Sequence, residues 1–185
     1  METITSVLLG VGLSAATGFR IFIPFLVASV AAITGYLPLS SSFEWIGTYP
    51  ALIAFGVATI FEIAAYYIPW FDNLLDSIAT PAAFIAGAIL MVAVVSGLSP
   101  LAKWALAIIA GSGAAGIVQT GTTLTRAAST ATTGGLANPV VSTVEAGSSF
   151  GLSLLAILLP VVAGLITIIL LFWLSSKVMK KLKPT

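Results

Sequence analysis

The sequence predicts an all-α integral membrane protein, and three observations carry that expectation. Of the 185 residues, 59% are hydrophobic and 7% are charged, too few polar groups to cover a water-facing surface. Several apolar runs exceed about 18 residues, the length of helix that crosses a hydrocarbon core. These runs are apolar on every side rather than alternating. A barrel strand needs alternation, and a helix satisfies its own backbone in lipid.

Five transmembrane stretches are expected in chain order. The first, 4–33, is interrupted by Gly18, Arg20 and Pro24, and glycine and proline both weaken a helix interior. A loop at 34–50 carries Pro38, Ser40, Ser41, Ser42 and Glu44, and a second span covers about 51–69, ending at Ile68-Pro69-Trp70. A polar turn with Asp72, Asn73 and Asp76 leads into a third span at about 77–98, with Pro81 near its start. After Ser99-Pro100 a fourth stretch starts near Leu101 and fades into a region rich in Gly, Thr, Ser and Ala at 111–135, so a second broken helix is expected there. Residues 138–149 read as a polar connector, 150–174 as the last span, and 175–185 as a basic tail with Lys177, Lys180, Lys181 and Lys183. No room is left for a separate soluble domain, so 1–185 is one transmembrane domain.

The tail lysines mark the cytoplasmic side, with Trp173 at the interface just inside it. Counting back through five crossings places the N-terminus outside. Glu2 is the only early charge, which does not fit the basic start of a cleavable signal. The net charge of +1 excludes a nucleic-acid binder, which needs a concentrated basic surface. The chain has no cysteine and no histidine, so disulfides, thiol chemistry, zinc ligation and a histidine base are absent. Neither a metal nor a cofactor is expected, and an enzyme is the least favoured class.

The two halves resemble each other. Gly12-x-x-Ala15-Ala16 recurs as Gly111-x-x-Ala114-Ala115 and Gly35 as Gly134, each 99 positions on. Pro38-x-x-Ser41-x-x-Glu44 recurs as Pro139-x-x-Ser142-x-x-Glu145, 101 positions on. Chance is the competing explanation, because Gly and Ala are abundant. A true duplication makes 4–69 and 101–174 an inverted repeat, with the span at 73–98 as connector. Such repeats with broken helices place binding sites at mid-membrane.

Ionisable and polar residues inside or beside these stretches are the candidate site: Arg20, Glu62, Asp72, Asp76, Gln119, Thr123, Arg126 and Asn138. A charge at the centre of a span costs roughly 2.5–3.5 kcal/mol on insertion scales, so it is kept with a partner or a wet cavity. Ser14, Thr17 and Arg20, and likewise Gln119, Thr123 and Arg126, share a helical face by their spacing. The arginines suit an anion, because a guanidinium offers a planar fork; salt bridges to Glu62 and to Asp72 or Asp76 are the alternative. Glu62 fits proton or cation coupling, a counter-charge for Arg20, or a polar helix contact. Asp72 and Asp76 fit either a favoured helix N-terminus or a cation-attracting mouth. Asn138-Pro139 reads as a helix start or as a donor facing a pore. Ser41-x-x-Glu44 and Ser142-x-x-Glu145 read as capping boxes. Thr120-Gly121-Thr122-Thr123 is better explained by small-residue helix packing than by a carbonyl-lined filter.

The motifs Phe61-Glu62-Ile63, Ile68-Pro69-x-x-Asp72-Asn73-x-x-Asp76, Thr125-Arg126-Ala127-Ala128-Ser129-Thr130 and Asn138-Pro139-x-x-Ser142-x-x-Glu145, with Gly18-Phe19-Arg20 and Pro24, carry a resemblance over nearly the whole chain. The sequence resembles a domain-of-unknown-function family of small multi-pass bacterial membrane proteins. The resemblance implies a membrane fold in the bacterial inner membrane and brings no activity. It also implies ionisable residues in relatives where this chain has Tyr66, Tyr67, Gln119 and Thr122.

The expected function is a small channel or secondary transporter with a mid-membrane polar site for a small ion or anionic solute. Two alternatives stand beside it: a flippase or scramblase that grips a lipid phosphate, and a non-transporting assembly subunit. The expected partners are the lipid bilayer, the transported species and further copies of the chain.

Overall fold

A computed structural model describes residues 2–68 and 71–182 of the chain, with the side chains of 71–74 and 177–182 outside that description. The described chain is helical: α1 Thr3–Thr17, α2 Phe22–Ile33, a 3-10 segment Ser41–Gly47, α3 Tyr49–Ala65, α4 Phe71–Val94, α5 Pro100–Leu106, a π segment Ala107–Gly111, α6 Ser112–Thr133, α7 Asn138–Leu158 and α8 Pro160–Leu182.

Helix α1 is the axis of the bundle, packed against α4, α6, α7 and α8. Its buried residues include Leu9, Gly10, Gly12, Leu13, Ser14, Ala15, Ala16 and Thr17. A helix without a polar face is stable when surrounded, and its small residues let four neighbours approach closely. Leu9 and Leu13 share a core with Phe25, Ala28, Ile46 and Leu90. Helix α4 crosses closely over the π segment and the start of α6. A methyl added at Gly87 would lie 2.6 Å from the Gly111 carbonyl oxygen and 2.7 Å from the Ala115 side chain. The Gly87 carbonyl also accepts from Ser14 Oγ at 2.7 Å, which locks α4 to the axis.

The outer surface is apolar: Ile53, Ile60, Phe61, Leu124, Val144 and Phe172 are exposed, whereas Arg20, Arg126, Gln119 and Glu145 are buried. Lipid around the helices accounts for that inversion, because the hydrocarbon core rejects charge and tolerates bare apolar side chains. Leu75–Val94, Pro100–Thr133 and Asn138–Leu158 are long and apolar enough to cross a membrane, and the Ser41–Gly47 and Tyr49–Ala65 pair, bent by 64°, raises the number to four. Thr3–Thr17, Phe22–Ile33 and Pro160–Ser176 are shorter apolar helices.

The first stretch breaks where Gly18, Arg20 and Pro24 predict, between α1 and α2. The fourth does not break. It runs continuously over Pro100–Thr133, with a single π segment. Gly111, Gly116 and Gly121 serve packing, and its threonines stay helical by donating back to carbonyls, Thr120 to Gly116 and Thr125 to Gly121 at 2.8 Å. In lipid those hydroxyls have few competing acceptors, so they follow the helix instead of opening it.

The expected connector at 138–149 is the first half of α7, and the expected span at 150–174 is interrupted at Leu159, where φ is −137° before Pro160. Proline removes a backbone donor and pushes the preceding residue out of the helical region. Neither capping box forms. The 3-10 segment starts after Ser40 without a side-chain cap. Ser142 and Glu145 lie inside α7, whose cap residue is Ala137, also without a side-chain bond. Asn138 is the first residue of α7 and donates to Thr130 Oγ1 at 3.0 Å, tying α7 to the end of α6.

Gly87→Ala is expected to lower stability by about 1–3 kcal/mol through overpacking. Gly113→Ala, on α6 with nothing within 4 Å of an added methyl, is expected to be neutral or mildly stabilising. Melting curves of the two purified variants beside the parent chain check the contrast.

Candidate functional site

The site begins with the interruption of α1. A helix that ends leaves its terminal carbonyls unpaired, and the next helix leaves its first N–H groups unpaired. Side chains from two other helices meet those groups here. The Glu62 carboxylate on α3 accepts from the Ile21 N–H at 2.7 Å and the Phe22 N–H at 3.0 Å. Ser149 Oγ on α7 donates to the carbonyls of Ala16 at 3.0 Å and Arg20 at 3.4 Å. Pro24 falls in the first turn of α2, where its missing N–H would have had no intrahelical partner.

Arg20 projects from this break into a cluster drawn from four helices. Its Nη2 donates to Ser142 Oγ at 2.5 Å and to the Ser142 carbonyl at 3.2 Å, and lies 3.1 Å from Glu145 Oε2. Arg126 on α6 grips the same carboxylate as a fork, Nε to Oε1 at 3.2 Å and Nη2 to Oε2 at 2.5 Å. Its Nη1 donates to Asp76 Oδ1 on α4 at 2.5 Å. Tyr66, at the end of α3, lies beneath both cations. Its ring centroid is 3.8 Å from the Arg20 guanidinium carbon and 4.1 Å from that of Arg126, and its hydroxyl donates to Asp76 Oδ1 at 3.2 Å. Nearby, the Tyr67 and Thr143 hydroxyls are 2.6 Å apart, fastening α3 to α7.

Arg20 and Arg126 contact Asp76 and Glu145, two charges of each sign, all buried, and Glu62 adds a further carboxylate within electrostatic reach of both arginines. Removing any one leaves a neighbour uncompensated where desolvation makes that expensive. Hydrogen bonding is less complete than charge pairing. Arg20 is 1% exposed, yet its Nε and Nη1 have no partner among the described residues. An apolar groove of about 320 Å³ between α6, α7 and α8 reaches Glu145 and is lined also by Phe19, Thr122, Val141, Leu170 and Leu174.

Of the residues expected from sequence, Arg20, Asp76 and Arg126 meet. Arg126 pairs with Asp76 as one expectation had it, but the carboxylate on Arg20 is Glu145. Glu62 instead binds backbone N–H groups, because the broken helix presents unpaired donors to it. Gln119 and Thr123 lie earlier on α6, with Gln119 Nε2 3.5 Å from Thr123 Oγ1; no described hydrogen bond carries them to the guanidiniums. Asn138, buried at the start of α7, joins that helix to α6. The Asp72 side chain falls outside the described residues.

Glu145, Ser142 and Tyr66 are the members that sequence reasoning missed. A signal for α7 was present: Asn138, Ser142, Glu145, Ser149 and Ser153 recur at helical spacing, and all five are buried.

A family described as a domain of unknown function, DUF4126, matches residues 7–180. The chain belongs to it. The matched DUF4126 segment takes in the break, Tyr66, Asp76, Arg126, Ser142 and Glu145. No curated protein and no solved structure matches the chain.

In this DUF4126 chain Tyr66→Phe keeps the ring under both guanidiniums and removes one hydrogen bond, so a loss of about 1 kcal/mol is expected. Tyr66→Leu also removes two desolvated cation–π contacts, and about 2 kcal/mol more is expected. Unfolding free energies of the two variants against the parent test that order, and equal losses would contradict it.

Proposed function

We propose that the protein is a small membrane transporter or channel that binds an anionic group of a small ion or solute beside Arg20 and Arg126. The observation that carries this reading is the open guanidinium edge of Arg20. A buried donor without an acceptor costs about 1–3 kcal/mol, more when charged, and a protein keeps such a group where a ligand or water completes it. Its position at an interrupted helix supports the same reading, since irregular backbone at membrane depth is tolerated where it lines a binding site.

The paired motifs of the two halves support a duplicated core. Gly35 and Gly134, 99 positions apart, both follow a helix with positive φ, 80° and 63°. In this reading Glu62 positions the broken helix, Asp76 and Tyr66 hold Arg126 and Arg20 in place, and the C-terminal lysines keep their end cytoplasmic.

A second reading has one observation in its favour. The groove that reaches Glu145 is lined mainly by apolar side chains, so a lipid chain could lie there with its phosphate turned to the arginines, as in a scramblase.

Proteoliposomes carrying the full chain separate these readings. Influx of chloride, nitrate or formate that drops at least tenfold in Arg20→Gln, measured on protein that is still folded though less stable than the parent, is the expected result (about 1.4 kcal/mol or more added to the barrier). Wild-type flux in Arg20→Gln would remove that residue from the mechanism. Transfer of a labelled phospholipid between leaflets, with no anion flux, would select the lipid reading.

A further inference from the structure

We infer that Glu145 is a built-in competitor for the anion site, and that the protein takes up one proton on Glu145 for each small planar monoanion it binds. This rests on the anion-binding reading above and names the ligand class and the coupling ion for the same site. Glu145 does what a bound carboxylate ligand would do: both its oxygens lie in the fork of Arg126, and one also touches Arg20 Nη2 at 3.1 Å. The occupied geometry is that of a planar, two-oxygen anion, which a guanidinium fork selects.

Charge sets the stoichiometry. With Glu145 ionised the two arginines face three carboxylates, Glu145 and Asp76 in direct contact and Glu62 within electrostatic reach, so an added anion would be uncompensated in a dry interior. A proton from water on a Glu145 oxygen removes one negative charge from that set. One monoanion puts it back and leaves the net charge of the cluster unchanged, and a dianion would overshoot. The donors released from Glu145 are Arg126 Nε and Nη2 and part of Arg20 Nη2. They add to Arg20 Nε and Nη1, which are already open, so the incoming anion is fully hydrogen-bonded.

The structure also gives the protonated side chain a place to go. Glu145 lines the apolar groove with Phe19, Val141, Leu170 and Leu174. A neutral carboxyl enters such surroundings far more cheaply than a carboxylate. The groups facing Glu145 are Arg20 from the break, Arg126 from α6, Ser142 from its own helix, and Tyr66 and Asp76 from α3 and α4 through the arginines. Among the described residues, helix α8 offers the groove Leu170 and Leu174. Glu62 is engaged with the Ile21 and Phe22 N–H groups, so Glu145 is the carboxylate whose partners an anion can replace.

Calorimetric titration of formate into the full chain in lipid nanodiscs, at one pH in two buffers of different ionisation heat, counts the protons. Wild type is expected to take up about one proton per formate, with affinity falling about tenfold per pH unit above neutrality. Glu145→Gln is expected to bind formate more tightly, without proton uptake and without that pH dependence. Formate binding to wild type with no proton uptake, or an unchanged pH dependence in Glu145→Gln, overturns the coupling while leaving the anion site standing. Formate binding to neither protein overturns both. If Glu145→Gln does not fold, the wild-type proton count decides alone.

Discussion

A helix that stops inside a bilayer must give its terminal backbone groups to other parts of the protein, because hydrocarbon offers them nothing. That constraint organises this fold. The gap between α1 and α2 is closed by Glu62 from α3 on the donor side and Ser149 from α7 on the acceptor side. Those bonds bring two helices to one point that share little other contact. Once α3 and α7 are drawn there, Tyr66 and Glu145 arrive with them, one turn beyond Glu62 and one turn before Ser149. The charged cluster is thus assembled by the same residues that make the break tolerable.

The chemistry follows from how unequally the two arginines are satisfied. Arg126 has both edges of its guanidinium filled by Glu145 and Asp76. Arg20 presents one nitrogen to three acceptors and leaves the other two without a partner among the described residues. Full pairing would be expected of charges kept for structure alone, since an unpaired buried donor lowers stability with nothing gained. The Tyr66 ring softens that cost without removing it, because a π face attracts a cation yet does not accept each N–H in turn. On the proposed reading, an acceptor delivered from outside the chain completes what the fold leaves open.

Much of this was legible in the sequence, for reasons that can be named. Gly18, Arg20 and Pro24 marked the break, since each is unfavourable in a buried apolar helix. Arg20, Arg126 and Asp76 stood out because a charge is rare in such surroundings. What failed were judgements carried over from water. Residues 111–135 looked too polar and glycine-rich for a continuous helix, and 138–149 looked like a polar connector. In lipid, Ser and Thr return their hydroxyls to the helix backbone or to a buried charge, so polarity there marks an inward face rather than a chain end. Ser142-x-x-Glu145 was misread as a cap for the same reason: the motif is local, and the guanidiniums that claim it come from residues 20 and 126.

The repeated motifs sharpen that point. At the offset of 99 positions Arg20 corresponds to Gln119, and at the offset of 101 positions Glu44 corresponds to Glu145. All but Glu44 are buried. On the duplicated-core reading the two halves put one pattern to different uses, because α6 runs unbroken past Gln119 whereas the helix breaks beside Arg20. There the chain leaves the helix and can turn an arginine toward α7. At the matching point of the second half the helix runs on and Gln119 stays on its face; Glu44, in the first half, is exposed, and no cation reaches it among the described contacts. An uncharged residue suits buried position 119 and a carboxylate suits exposed position 44, because burial penalises a charge without a partner. On this reading the site is single and asymmetric: the first half supplies the arginine of the break, the second supplies its carboxylate, and the interrupted helix decides which half does which.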